Sequence, residues 1–378
     1  MQQESLKHVR KPPLPGLTGI RTFLAPGIML FHFTPPHMSW AMPVIASGFT
    51  YISFFLLISG FILSYNYGHR ADTLRVREFY LARLARLYPV YLLSLAVSLE
   101  MFAQEWHYQT HANFWLGTLL TPLLLQGWHP MLATFWNTVA WTLSTEAMLY
   151  LAFPFLNRAK WWPKKPSHLL GLFVVFWICE LVVPTTYLLL NPDGLASIDR
   201  YSYGFWIRAL KYTPLPYLPI FLAGMTLGRI HALVPLSDRA RMLMAAGAGS
   251  VVLLIFYTFV EKLPYVMLHG GLLTPLFAML IFGLTGTHWI SRTLAVRPIE
   301  LLGEASFCLY LLHFNTWILL HYFHVWETLR LTVLDPWISY VALIFIAYLA
   351  FRYVETPSRR YLLSRWLGRA PVPVPAKT

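Results

Sequence analysis

The sequence predicts an all-α membrane protein, a polytopic bundle of about ten transmembrane helices with both termini in the cytoplasm, on three observations. The chain has 378 residues, of which 57% are hydrophobic and only 12% charged, roughly half the charged share of a soluble domain. Apolar runs recur from Leu17 to Val354 with no long polar stretch between them, and each reaches or approaches the roughly 20 residues that cross a bilayer. The basic residues, finally, alternate in density from one connecting segment to the next, as topology requires.

The expected spans, in order, are residues 17–34, 46–65, 87–101, 138–156, 169–190, 214–230, 242–260, 266–284, 303–322 and 336–354. The first opens after a basic stretch (Lys7, Arg10, Lys11) that resembles the start of a signal peptide. No A-x-A-like cleavage site follows at the right distance, so it reads as a retained helix. Residues 114–125 are apolar but too short to span, and sit between segments rich in His and Trp; they are expected on the outer face or re-entrant into it. With ten crossings, the inner segments hold 22 of the Lys and Arg residues and the outer segments 5. That imbalance places both termini in the cytoplasm.

One membrane domain follows, residues 17–356, flanked by a cytoplasmic segment, 1–16, and a basic, Pro-rich cytoplasmic tail, 357–378. The net charge of +13 does not indicate nucleic acid, because the cations lie in short loops between apolar runs and not on a mixed basic and aromatic soluble face. Cys179 and Cys308, the two cysteines, lie inside apolar runs and read as small buried hydrophobic residues; they offer neither a disulfide framework nor a zinc site. No internal repeat is evident, which weakens a transporter reading. Nor does a GxxxxGK loop or a G-x-S-x-G elbow appear, so nucleotide hydrolysis and serine hydrolysis find no support.

Ionisable groups within a membrane are costly and are functional candidates by default. Arg21, His32, Glu146 and His313 stand out. Arg21 and His32 are eleven residues apart, a separation that returns to nearly the same helix face about 16 Å further along, so both are expected to look into one cavity. A histidine at depth suits a general base or an acyl-accepting nucleophile. Pro26, between them, removes a backbone hydrogen bond and loosens the helix. Arg83 and Arg86, at i and i+3 just before the third span, suit a phosphate-bearing ligand that guanidinium groups grip bidentately. Positive-inside anchoring accounts for them too, but beside Arg21 they favour a coenzyme A site.

Around the fourth span, Asn137, Trp141, Ser144, Thr145, Glu146 and Tyr150 bring polar groups into an apolar stretch, and a histidine would be an economical partner for Glu146. On the ninth, Ser306, Tyr310, His313 and Trp317 form one semi-polar face, equally fit for hydrogen bonding between helices or for substrate contact. Trp141, Ser144, Tyr310 and His313 are the candidate substrate residues. His107 and His111 would share a face if helical, but no HExxH-type pattern completes a metal site, and no metal is expected. The 15 Trp fit an interfacial aromatic belt first and sugar stacking second.

These residues resemble acyltransferase family 3, the membrane O-acyltransferases that include polysaccharide, lipopolysaccharide and Nod-factor O-acetyltransferases. LTGIRTFLAPGIMLFHF (residues 17–33) is similar to the family's opening helix, with its R-x10-H motif as Arg21 and His32. FFLLISGFILS (54–64) is similar to the second helix, and FYLARLARLYPVY (79–91) carries R-x-x-R as Arg83 and Arg86. NTVAWTLSTEAMLYLAFPFL (137–156), ASFCLYLLHF (305–314) and YVETPSRR (353–360) look like later blocks. The resemblance implies transfer of an acyl group, acetyl above all, from acyl-CoA to a hydroxyl of a cell-envelope or exported carbohydrate or glycolipid. It also implies a bacterial inner-membrane location, His32 as the centre of transfer, and Arg21, Arg83 and Arg86 handling the coenzyme. Glu146, by its charge and depth, is expected to orient His32 or to stabilise its cationic form. The competing classes are a secondary transporter or flippase of a polar or lipid-linked substrate, and a non-catalytic subunit of an envelope assembly.

Overall fold

The computed structural model describes residues 11–368. Lys7 and Arg10 of the expected N-terminal segment, and the end of the basic tail from residue 369, lie outside the described residues. Among the described residues the chain forms helices and connecting turns, with no strand. The principal helices are α1 (Arg21–His32), α2 (Tyr51–Tyr67), α3 (Val76–Val97), α4 (Trp141–Arg158), α5 (Pro166–Leu190), α6 (Leu218–Leu233), α7 (Asp238–Thr258), α8 (Thr274–Leu284), α9 (Arg297–Tyr322) and α10 (Trp337–Ala350).

Each expected span coincides with one of these helices, but the helices differ in reach. Among the described residues, five helical runs are long and apolar enough to cross a membrane: Ser39–Arg70, Pro166–Leu190, Asp238–Thr258, Tyr265–Leu284 and Trp337–Leu367. A sixth arises if Val76–Val97 and Leu99–Tyr108, bent by 63° at their junction, count as one. By contrast α1, with 12 residues, is about 18 Å long, short of a hydrocarbon core of about 30 Å. The protein is a multi-pass membrane protein whose shorter helices lean on the longer ones. Helix α5 turns Leu170, Val174, Ile178, Val182 and Leu189 outward, and α7 does the same with Leu243, Leu253 and Leu254. Apolar side chains exposed in that number are a surface for lipid, not for water. Cys179 is exposed on α5, whereas Cys308 is buried, so only the latter meets the expectation of a buried residue.

The interior is built by close backbone approach. A methyl group on Gly60 of α2 would lie 2.2 Å from the Phe221 carbonyl oxygen of α6, and one on Gly224 of α6 would lie 2.2 Å from the Leu57 oxygen of α2. Small residues at such crossings let helices associate where lipid offers no hydrophobic gain. The first turn of the chain does the same: a methyl on Gly303 of α9 would lie 2.0 Å from the Thr18 oxygen, and Thr22 Oγ1 donates to Ile299 O at 2.5 Å.

The apolar segment 114–125 is a short helix, His111–Leu120, and a return turn. It folds back on the C-terminal half of α3: Tyr88 OH donates to Pro122 O at 2.8 Å and Tyr91 OH to Thr121 O at 2.5 Å. Asn137 Nδ2 donates to Ser94 Oγ at 3.1 Å and to Leu311 O at 3.3 Å, and Asn315 Nδ2 donates to Ser98 Oγ, so α3, α9 and the loop before α4 are stitched by buried polar pairs. Because backbone cannot shift as a side chain can, Gly224→Leu is expected to cost at least about 3 kcal/mol. Yield and thermal unfolding of the detergent-solubilised protein should fall together.

Candidate functional site

Five of the principal helices converge on a cavity of about 400 Å³, within the usual size of a ligand site. Arg21 reaches it from α1, Phe55 from α2, Arg83 and Arg86 from α3, Glu146 and Tyr150 from α4, and Tyr310 from α9. The i, i+3 spacing sets Arg83 and Arg86 on one face of α3. With Lys11, four cationic side chains line the cavity against one carboxylate, Glu146.

None of the three arginines makes an ion pair among the described residues. Aromatic rings flank two of them instead. The Arg83 guanidinium lies 5.5 Å from the Phe79 ring and 5.6 Å from that of Tyr150, with Nη2 3.4 Å from Tyr67 OH. Arg21 lies 5.8 Å from the Phe55 ring. The Nε atoms of both Arg21 and Arg83 are buried and unpartnered among the described residues, a costly state for a donor on a cation. The arrangement offers cationic donors in the geometry that suits an anion with several oxygens.

Glu146 accepts a short hydrogen bond from Tyr150 OH. Sequence reasoning expected a histidine there and an orienting role toward His32. The partner the structure gives it is Tyr150, one turn on along α4, and its charge acts on Arg21 and Arg86.

His32 is the last residue of α1 and is not among the residues lining the cavity. Arg21 thus lines this cavity and His32 does not. Helical periodicity returns both side chains to one face, but their separation along the axis puts them in different surroundings. His32 sits among Phe31, Phe33 and Phe314, at ring-centroid distances of 5.3, 6.4 and 5.2 Å, with His313 at 5.3 Å and the charge of Arg200 close enough to act on it. Tyr310 joins the two regions. Its side chain lines the cavity, its hydroxyl donates to Val139 O at 3.1 Å and accepts from Thr142 Oγ1 at 3.0 Å, and its carbonyl lies 2.7 Å from His313 Nδ1.

Two other candidates stand apart from the cavity. Ser144 is 1% exposed and its Oγ accepts from the Gly127 N–H at 3.2 Å, a contact that pins the return turn to α4. Trp141 packs with Tyr212, Tyr217 and His269 at 5.3, 5.6 and 6.5 Å between ring centroids. Its cluster contains two polar residues the sequence did not single out as chemical: His269, whose Nδ1 is 3.3 Å from Tyr217 OH, and Lys211, 3% exposed, which donates to Arg200 O at 3.0 Å. His107 and His111 fall on separate helices, Leu99–Tyr108 and His111–Leu120, so they share no helix face; among the described residues no group of three metal-binding side chains is assembled.

The residue sequence reasoning missed is Glu355. It is 5% exposed, presented by a π-helical turn, Phe351–Glu355, at the end of α10. Cys308 Sγ donates to its Oε2 at 3.2 Å, and its charge acts on Arg21 and Arg86. An acid within YVETPSRR, just past an apolar span, was the available signal.

The model of a family described as an acyltransferase domain, acyltransferase family 3, matches residues 14–351. The chain is 23% identical to peptidoglycan O-acetyltransferase OatA of Listeria monocytogenes over 92% of its own length and 56% of that protein's. It is 23% identical to the O-acetyltransferase OatA of Staphylococcus aureus, over 92% of this chain and 57% of the relative. A shorter stretch, 38% of this chain and 39% of the relative, is 30% identical to acyltransferase MdmB of Streptomyces mycarofaciens. The chain thus spans about half the length of the O-acetyltransferases it matches. No solved structure matches it.

A cavity with three unpaired guanidinium groups is expected to bind inorganic pyrophosphate. At a concentration one hundred times the dissociation constant, the anion should stabilise the purified protein by about 2.7 kcal/mol. In Arg83→Gln and Arg86→Gln the shift in unfolding temperature should shrink at the same concentration.

Proposed function

The chain belongs to acyltransferase family 3, and from that premise we propose that it is a membrane O-acetyltransferase moving the acetyl group of acetyl-CoA, or a related acyl group from its CoA ester, to a hydroxyl of a cell-envelope carbohydrate. The observation that carries the donor half of this reading is the cavity's excess of unpaired arginines, which matches the phosphates of a coenzyme A ester in charge and in bidentate geometry. The acceptor half rests on the relatives, one of which is named for peptidoglycan. The transporter or flippase alternative draws no comparable support, since the relatives' names are those of acyltransferases.

In this reading residues 17–356 form the acyl-transfer domain, crossing a bacterial inner membrane ten times with 1–16 and 357–378 in the cytoplasm. Acyl-CoA enters from that side and sets its phosphates on Arg83 and Arg86, while Arg21 directs the thioester end along α1. His32 lies about 16 Å further along and is the base: it takes the acceptor hydroxyl's proton as the oxygen attacks the thioester carbonyl. The C–S bond breaks, the ester forms, and the proton passes from His32 to the departing thiolate to give free CoA. Tyr310 and His313 lie next to the path of the acyl group, whereas Trp141 and Ser144 serve the packing around it.

Transfer of labelled acetyl from acetyl-CoA to cell-envelope carbohydrate should be measured in membranes with equal amounts of native and variant protein. Label is expected with the native chain and a loss of about 100-fold or more with His32→Ala. Arg86→Gln is expected to raise the KM for acetyl-CoA about tenfold with less effect on kcat. Equal labelling by native and His32→Ala membranes would remove His32 from the reaction.

A further inference from the structure

His313 is fully buried, at 0% exposure, and its two ring nitrogens meet different fates. Nδ1 is 2.7 Å from Tyr310 O and 3.1 Å from Leu309 O, both carbonyl oxygens. Only an N–H satisfies such acceptors, so the proton of the neutral ring is on Nδ1 and Nε2 keeps a lone pair. That Nε2 is buried with no hydrogen-bond partner among the described residues. Buried polar atoms are rarely left so, and the His32 ring, packed among the same aromatic residues, is 5.3 Å away between centroids.

The wall holds His32 in reach. Phe33 stacks on Trp317 at 4.3 Å and 10°, and Tyr340 OH donates to Phe33 O at 2.8 Å, so the end of α1 is clamped between α9 and α10. Phe31, on the other side, lies under the Arg200 guanidinium at 4.5 Å.

We propose that His313 is the positioning residue of the transfer reaction, accepting the ring N–H of His32 at its Nε2 and so fixing which nitrogen of His32 presents a lone pair to the acceptor hydroxyl. The inference rests on the proposed role of His32 and deepens it. An acceptor that is locked by backbone carbonyls can serve only the N–H tautomer of its neighbour. In the reaction His32 gains the hydroxyl's proton on the free nitrogen, the resulting imidazolium stays hydrogen-bonded to His313, and the same proton leaves to the CoA thiolate. His313 neither gains nor loses a proton.

Two amide substitutions separate this role from the alternatives. Asn places its amide where Nδ1 stands, keeping the bond to the carbonyls and deleting the Nε2 acceptor. Gln places its amide oxygen where Nε2 stands, keeping the acceptor and deleting the Nδ1 donor. His313→Asn is expected to lose about 100-fold in kcat with KM for acetyl-CoA unchanged, and His313→Gln to retain activity within about tenfold of native. Thermal unfolding of each variant checks that both are folded. Retained activity in Asn with loss in Gln would reduce His313 to a helix anchor and overturn the proposal. Equal loss in both folded variants would make it a base in its own right and overturn it as well. Native protein that transfers no label from acetyl-CoA, alongside unaltered binding of pyrophosphate, would sink the transferase reading first and this inference with it. An active native protein and an inactive His32→Ala, with both His313 variants active, would sink the inference alone.

Discussion

Four cationic side chains and one carboxylate share a cavity inside an apolar bundle, and this unbalanced charge sets the terms for the rest of the molecule. An unpaired buried charge is strongly destabilising unless something else meets it. Here rings meet it in part: Phe79 and Tyr150 flank Arg83, and Phe55 faces Arg21. Such contacts are worth about 0.5–2 kcal/mol each, enough to hold a guanidinium in place but not to replace its solvent. Glu355, with its acid shielded by Cys308, adds a second negative charge near Arg86 without entering the cavity lining. Among the described residues the protein's own groups thus offset this positive charge only in part.

Rigidity along α1 turns that site into one end of a ruler. Gly303 against Thr18, and Thr22 bonded to Ile299, fix the start of α1 on α9; the Phe33–Trp317 stack and the Tyr340 bond fix its end. Arg21 and His32 cannot approach one another, and α9 supplies a residue at each station, Tyr310 at the cavity and His313 at the histidine. The Tyr310 backbone links them, since its carbonyl accepts the hydrogen bond of His313 Nδ1–H while its ring lines the cavity. Displacing Tyr310 would loosen the tautomer of His313 as well as the cavity wall.

Much of the site was legible because a charge in an apolar run has few explanations. Arg21, Arg83, Arg86, Glu146 and Tyr310 all line the cavity. Uncharged polar residues were less informative: Ser144 and Trp141 lie in the same stretch as Glu146, yet one caps a buried N–H and the other packs with aromatic rings. Hydroxyl and indole groups serve helix association as readily as chemistry, and spacing alone does not tell the uses apart. Periodicity gave the face of α1 correctly and overreached on the cavity, because a face says nothing about what intervenes along 16 Å or so of helix. The meeting of His32 with His313, some 280 residues away in sequence, is a tertiary fact that no local pattern encodes. Glu355 was missed for a related reason: a π-helical turn inserts it inward, where an α-helical continuation would give no cause to expect it.

The separation of arginines from histidines along one helix has its own physical logic if the donor is a coenzyme A ester. Phosphates carry charge that a low-dielectric interior penalises heavily, so they must stop where cations and water can meet them. The arm that bears the thioester is uncharged, and so are the acyl group, the thioester and a neutral imidazole. Each of these can enter the aromatic surroundings of His32 at modest cost. A fold that holds Arg21, Arg83 and Arg86 at one end of α1 and the proposed base at the other would let the neutral part of such a donor travel while the charged part stays behind. The distance between Arg21 and His32 then keeps three further cations off the proposed base, which already has Arg200 nearby over the Phe31 ring; more positive charge there would disfavour the protonation that the proposed transfer needs.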